Sequence, residues 1–293
     1  MQKIKFNKKS VESLLRALPH DHTIYYFPNP GNAGDAAIAL GTYSLFERLK
    51  ITPTVISFDD LKQLKSNTIL FGGGGNLVEG KYSDMHEALS TALVQDNYCI
   101  LLPHTILGFE SIVNKCLSDK LIIFCREKTS YELCALANSL NTKNIFLDDD
   151  MAFHISNDII DHFKTQKGTG TAYCLRKDSE SAHLVPIPTE NIDISLSWNG
   201  DLWQNRELTT SVVKSLLAYL SQFESIRTDR LHIAILGSLL EKRVFLYPNS
   251  YYKNRAVYEM SLSDKSNVFF INTSTDLLHS DYIRYLLDKN NMH

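Results

Sequence analysis

The chain has 293 residues, 44% of them hydrophobic, which is enough for one large or two medium domains with real cores and excludes a mainly disordered state. Its 30 Lys and Arg against 33 Asp and Glu leave a formal net charge of -3, so the chain as a whole is neither a nucleic-acid binder nor a polybasic membrane protein, and any anion site must be local. No apolar run approaches the roughly 18 to 20 residues that span a bilayer.

The basic N-terminus lacks the continuous apolar core and small-residue cleavage site of a signal peptide. It reads as a short amphipathic helix with Leu14, Leu15 and Leu18 inward, and the expected location is the cytoplasm. The 5 cysteines include no CxxC pair, and Cys99, Cys125 and Cys174 lie in apolar segments, where reduced Cys packs as a small hydrophobe; neither a disulfide framework nor a zinc site is expected.

From residue 23 to about 150, strand-like runs alternate with helical periods. The strands are Thr23 to Phe27, Thr54 to Ser57, Thr68 to Phe71, Tyr98 to Leu102, Leu121 to Cys125 and Asn144 to Leu147. Between them, Asp35 to Lys50 places Ile38, Gly41, Leu45 and Leu49 on one face, and Asp84 to Asp96 does the same with Met85, Leu89, Ala92 and Leu93. A composition break at Asp161 to Gly170 reads as a linker. Beyond it come strands at Thr171 to Leu175, Ile192 to Ser197 and Val244 to Tyr247, with helices at Thr210 to Gln222, Asp229 to Glu241 and Asp281 to Asn290. The expected class is α/β, with two Rossmann-like domains, 1–165 and 166–293, facing each other across a cleft that binds ligand at the carboxyl ends of the strands.

Four segments can carry chemistry. PNPGNAGDAAIALG, from Pro28 to Gly41, leaves a strand, turns through glycines and enters a helix. Its Asn32 and Asp35 belong either to an anion- or hydroxyl-binding helix start or to a plain turn in which Asp35 caps the helix. ILFGGGGNLVEG follows with Gly73, Gly74, Gly75 and Asn76 at a strand end, where residues without a Cβ permit close approach of a ligand or of other backbone. IIFCREKTS ends a strand in Arg126, whose donor fork suits a carboxylate or phosphate in the cleft unless it forms a surface pair with Glu127. Downstream, Asp148 to Asp150 could chelate a divalent ion, but an extended chain points adjacent carboxylates in different directions. The fourth segment, RTDRLHIAILG to NSYYKNR, holds Arg230, His232, Asn249, Lys253 and Arg255. A histidine in an apolar helix is either a satisfied structural residue or a catalyst.

Taken in order, GNAGDAAI, FGGGGN, REKTS, LDDDMAF, CLRKD, DRLHIAILG and NSYYKN resemble the polysaccharide pyruvyl transferase family over nearly the whole chain. The resemblance implies a fold like that of the GT-B glycosyltransferases. It also implies transfer of a pyruvyl group from phosphoenolpyruvate to two hydroxyls of a glycan or lipid-linked saccharide, giving a cyclic ketal in capsule, exopolysaccharide, lipopolysaccharide or wall glycans. The family's recurrent donor-site residues fall on Arg126, His232 and Lys253. The stretch between Arg176 and Thr228 is short for the family, which bears on the acceptor side.

That donor carries a carboxylate and a phosphate, which Arg126, Lys253, Arg230 and Arg255 can receive, and His232 is the candidate for proton transfer. The scheme needs no obligatory metal and no cofactor. Peripheral association with the inner membrane and homo-oligomerisation are compatible with it. The alternatives are a GT-B-type glycosyltransferase that uses a nucleotide sugar and a noncatalytic binding protein on the same scaffold. Trp198, Trp203, Tyr251 and Tyr252 are candidates to stack on a sugar ring.

Overall fold

A computed structural model describes residues 6, 8–18, 23–109, 112, 119–138, 141–165 and 167–272. The expected helix at 281–290 lies outside the described residues. In the first half the strands are β1 (Ile24–Phe27), β2 (Gly31–Asn32), β3 (Thr54–Val55), β4 (Thr68–Phe71), β5 (Gly74–Val78), β6 (Tyr98–Leu107), β7 (Leu121–Cys125) and β8 (Ile145–Leu147). In the second half they are β9 (Thr171–Cys174), β10 (Asn199–Gly200), β11 (Ser225–Thr228), β12 (Arg243–Leu246) and β13 (Val268–Phe270).

The protein is a mixed α/β structure with a large parallel sheet. The order β3-β1-β4-β6-β7-β8 is parallel throughout, and β5 runs alongside the later part of β6. Strands such as TILF and LIIFC are apolar at nearly every position because helices cover both faces of the sheet. Parallel strands all end on one side. That single edge therefore carries the turn after β1, the glycine run after β4, Arg126 after β7 and Asp148 to Asp150 after β8. A second parallel sheet, β13-β12-β11-β9, presents Arg176, Arg230 and Lys253 from its own carboxyl ends.

The helix Ala33–Leu49 lies between the halves. It was expected to be amphipathic, yet it is buried on every side from Ala33 to Phe46. Its small residues explain this: a Cβ at Gly41 would collide with the Met151 carbonyl, so only glycine lets the helix lie against that turn. It packs against the helices Arg206–Ser221 and Leu231–Leu239, and one apolar cluster includes residues of both halves. The halves also meet in an antiparallel pair of β2 with β10, and Tyr43 donates to the Trp203 carbonyl at 2.7 Å.

The structure corrects several expectations. The proposed strand at Ile192 to Ser197 contains the 3-10 turn Ile194–Ser197 instead. The linker proposed from Asp161 overlaps the helix Asn157–Lys164, whose Ile160 and Phe163 are buried. Strand β6 does not stop at Leu102 but passes Pro103 through a register shift and continues to Leu107. The polar strand β11, sequence SIRT, gave no apolar signal. The N-terminal helix spans Val11–Ala17, with Val11, Leu14 and Leu15 buried and Leu18 half-buried. Among the described residues, no helix is long and apolar enough to cross a membrane.

Candidate functional site

A cavity of about 630 Å³ opens where the carboxyl ends of the two sheets meet, and both halves line it. Its floor is set by Arg126. Strand β7 delivers this residue to a position 1% exposed, so every donor it uses must have a partner. Nε donates to Thr105 Oγ1 at 2.9 Å and Nη1 to Asp150 Oδ2 at 2.8 Å, while Nη2 lies beside Gly75. The expected alternative of a surface pair with Glu127 is overturned, because Glu127 is buried and caps the next helix through the Ser130 N–H at 2.8 Å.

The aspartate triplet diverges as an extended chain requires. Asp148 accepts from the Val11 N–H at 2.6 Å, Asp149 from the Ser261 hydroxyl at 2.6 Å, and Asp150 turns inward. Among the described residues, no group of three or more His, Cys, Asp or Glu could hold a metal ion. His232 Nε2 lies 3.4 Å from Asp150 Oδ2, within ion-pair reach but without hydrogen-bond geometry. Burial alone would raise the Asp150 pKa, but the adjacent His232 and Arg126 outweigh it and hold the carboxyl well below the usual range. The result is a permanent anion beneath the imidazole.

The glycine segments permit close approach, mostly of other parts of the protein, while Gly75 lines the cavity. Gly31 and Gly74 adopt φ of 145° and 144°, which favours glycine, and each makes room for protein rather than ligand. A Cβ at Gly31 would collide with the Asp35 carboxylate, and one at Gly74 would stand 2.5 Å from Asn29 Nδ2. A Cβ at Gly34 would stand 2.6 Å from His232 Nδ1, so that glycine lets the histidine settle on the start of the Ala33–Leu49 helix. Asn32, not Asp35, is the N-cap: its side chain accepts from the Gly34 N–H at 2.7 Å, and Asp35 closes the box on the Asn32 N–H at 2.9 Å. Asn76 donates its N–H to His104 Nε2 at 3.0 Å and its amide to the Pro30 carbonyl at 3.0 Å, tying the two loops together. Burial and the Arg126 charge push the His104 pKa down to about 3, so it remains a neutral acceptor.

The opposite wall is a ladder of shared charges. Arg176 meets Asp178 at 2.8 Å and Glu180 at 2.5 Å; Glu180 also receives Lys253 at 2.8 Å, and Asp178 receives Arg230 at 2.9 Å. Asp193 holds Arg230 from the other side at 2.5 Å. Lys253 is buried, with its ammonium 5.1 Å from the centre of the Tyr251 ring. Burial pushes its pKa down to about 8, with Glu180 opposing the shift and Arg176 and Arg126 adding to it.

Of the residues singled out in the sequence, Asn32, Asp35, Gly75, Asn76, Arg126, Arg230, His232 and Lys253 line this cavity. Gly73 and Gly74 pack behind it against Pro103 and Asn29. Asn249 is buried and accepts from the Asn254 N–H at 3.1 Å, bracing the turn that carries Lys253. Arg255 lies outside the cavity lining, bonded to Asn272 and over the Phe270 ring. Trp203 is fully buried in the core, and the Tyr252 hydroxyl donates to the Ile106 carbonyl at 2.9 Å, so neither stands free for a sugar. Arg176, Asp178, Glu180 and the rim residues Tyr82, Asp84 and Glu87 escaped the sequence reading, although CLRKD contains the first two.

The sequence profile of a family described as polysaccharide pyruvyl transferase matches residues 32–251. A Bacillus subtilis (strain 168) protein, EpsO, named provisionally as a pyruvyl transferase, is 26% identical over 290 residues, covering 84% of this chain and 88% of its own length. A crystal structure of a functionally uncharacterised protein from Klebsiella pneumoniae subsp. pneumoniae NTUH-K2044 is 39% identical, covers 89% of this chain and 96% of its own, and superposes with a TM-score of 0.76.

Proposed function

The chain belongs to the polysaccharide pyruvyl transferase family, and from that premise we propose that it transfers a pyruvyl group from phosphoenolpyruvate to a saccharide acceptor, forming a cyclic ketal. The observation that carries this reading is the convergence of Arg126, His232 and Lys253, from three distant segments, on one cavity. The two parallel sheets flanking it support a division into domains 1–165 and 166–293 in a GT-B-like arrangement.

A phosphate and a carboxylate leave water only for charge-assisted partners. Arg126 is held on two of its three nitrogens, which orients the third toward a bound anion at little entropic cost. Lys253 and Arg230 offer the remaining donors once their carboxylate partners share them with the ligand. His232, whose Nε2 lies 3.4 Å from Asp150 Oδ2, delivers a proton to the methylene carbon of the donor, which makes the adjacent carbon electrophilic toward a sugar hydroxyl. Phosphate then leaves and a second hydroxyl closes the ring. The cavity volume suits a small anion together with a sugar ring, and Tyr82, Asp84 and Glu87 at the rim present an aromatic face and hydroxyl acceptors on the acceptor side.

The test is a donor screen on the full chain, with phosphoenolpyruvate or nucleotide sugars supplied to a panel of glycan acceptors and product mass as the readout. A product heavier by one pyruvyl ketal, formed only with phosphoenolpyruvate, is the expected result. Glycosyl transfer from a nucleotide sugar would overturn the reading.

A further inference from the structure

Attack by a hydroxyl on the donor carbon releases a proton that His232 cannot take in the same step, because it is then giving its own proton to the methylene carbon. A second group must accept it. Most carboxylates of the cavity are unsuited to that work. Salt bridges with Arg176, Arg230 and Lys253 hold Asp178 and Glu180, and their pKa values fall to about 2, too acidic for an effective base. Asp84, Glu87 and Asp201 are exposed at the rim.

Asp35 differs from all of these. It lines the cavity, is 9% exposed, and is held among the described residues by neutral donors, the Asn32 N–H at 2.9 Å and the Asn29 amide at 3.3 Å. A Cβ at Gly31 would collide with its carboxylate, so that glycine leaves the space the carboxylate needs. Gly34, its neighbour in the same turn, packs against His232, so the two side chains flank one corner of the cavity. We propose that Asp35 is the general base that removes the proton of the attacking acceptor hydroxyl, working opposite His232. This role rests on the pyruvyl-transfer reading above.

The protons balance. The hydroxyl oxygen bonds to the central carbon of phosphoenolpyruvate as its proton passes to the Asp35 carboxylate and the methylene carbon takes one from His232. The carbon–oxygen bond to phosphate then breaks with its electron pair. The second hydroxyl attacks the same carbon, its proton leaves with the phosphate as hydrogenphosphate, and the proton held by Asp35 returns to His232 through solvent, restoring both groups. Burial raises the Asp35 pKa, with His232, Arg126 and Lys253 as the charged groups facing it and opposing the rise, which suits a base more than the depressed carboxylates around it.

The experiment compares wild type, Asp35→Asn and Asp35→Ala. Phosphate release from phosphoenolpyruvate is measured with a panel of methyl hexopyranosides and their N-acetyl counterparts, across pH, beside a melting curve with and without phosphoenolpyruvate. Asn can still accept from the Asn32 N–H, so the fold and the donor-induced melting shift should persist. Turnover should fall about 10² to 10⁴-fold, and the loss of activity on the acid side expected of wild type should vanish from what remains. Formate should restore part of the turnover of Asp35→Ala by supplying a carboxylate in the vacated space. An Asp35→Asn chain within threefold of wild type, or one that loses activity only in proportion to lost melting temperature and gains nothing from formate as Ala, overturns the role. A wild type that neither binds phosphoenolpyruvate nor releases phosphate overturns the underlying reading, and this role with it.

Discussion

The floor and the wall of the cavity hold their cations in opposite ways. On the floor, Arg126 has one buried carboxylate, Asp150, and one hydroxyl, Thr105, and every partner is fixed by the first sheet. On the wall, two carboxylates each serve two cations: Asp178 stands between Arg176 and Arg230, and Glu180 between Arg176 and Lys253. A singly paired buried ion cannot lose its partner without leaving an uncompensated charge, whereas a shared ladder can redistribute. The floor is therefore built to be rigid and the wall to yield, which fits a floor that positions the reacting carbon and a wall that rearranges as an anion enters.

Substitutions can break this contrast. Arg126→Ala should destabilise the fold by about 3 to 5 kcal/mol, since it removes the cation hydrogen-bonded to the fully buried Asp150 and leaves it only His232 at 3.4 Å, and it should abolish donor binding. Chemical denaturation of the full chain checks this. Arg126→Lys should recover little, because a point charge cannot reach Thr105, Asp150 and a ligand together. Arg230→Ala on the wall should cost less than Arg126→Ala in the same assay, because Asp178 keeps Arg176 and Asp193, which loses its cation, is less completely buried than Asp150. Equal losses at the two positions would erase the distinction.

A titration sharpens it further. Lys253 loses its proton as pH rises through about 8, and a bound polyanion must favour the charged form, so binding is linked to proton uptake above that pH. The Kd for phosphoenolpyruvate should hold steady below pH 8 and rise about tenfold per pH unit above it. Lys253→Arg should move that limb out of range, and calorimetric titration at several pH values reads both. The smallest effect belongs outside both regions. Arg255→Ala removes an exposed cation whose contacts are to Asn272, Glu259 and Phe270, and should leave turnover within about twofold and stability within about 0.5 kcal/mol.

The same contrast governs what the sequence made legible. Floor residues sit directly after apolar strands such as LIIFC, so Arg126 could be assigned to a carboxyl end from its position alone. The wall could not be read that way. Lys253 finds Glu180 at a separation of 73 residues and Arg230 finds Asp193 at 37, and no local period records such pairings. Pro103 reads as a strand breaker, yet the strand continues beyond it to His104 and Thr105, the residues that brace Asn76 and Arg126. The glycines were visible, but their purpose was not, since only the folded chain reveals that Gly31 and Gly34 make room for Asp35 and His232.

The claim that the floor is the chemical centre is tested most directly at His232, by measuring turnover, melting and the phosphoenolpyruvate-induced melting shift on one preparation of His232→Gln. Glutamine retains much of the volume against Gly34 but cannot cycle a proton near neutrality. The account predicts turnover lowered about 10² to 10⁴-fold with the fold and the donor shift intact. A His232→Gln chain that turns over at the wild-type rate would contradict it.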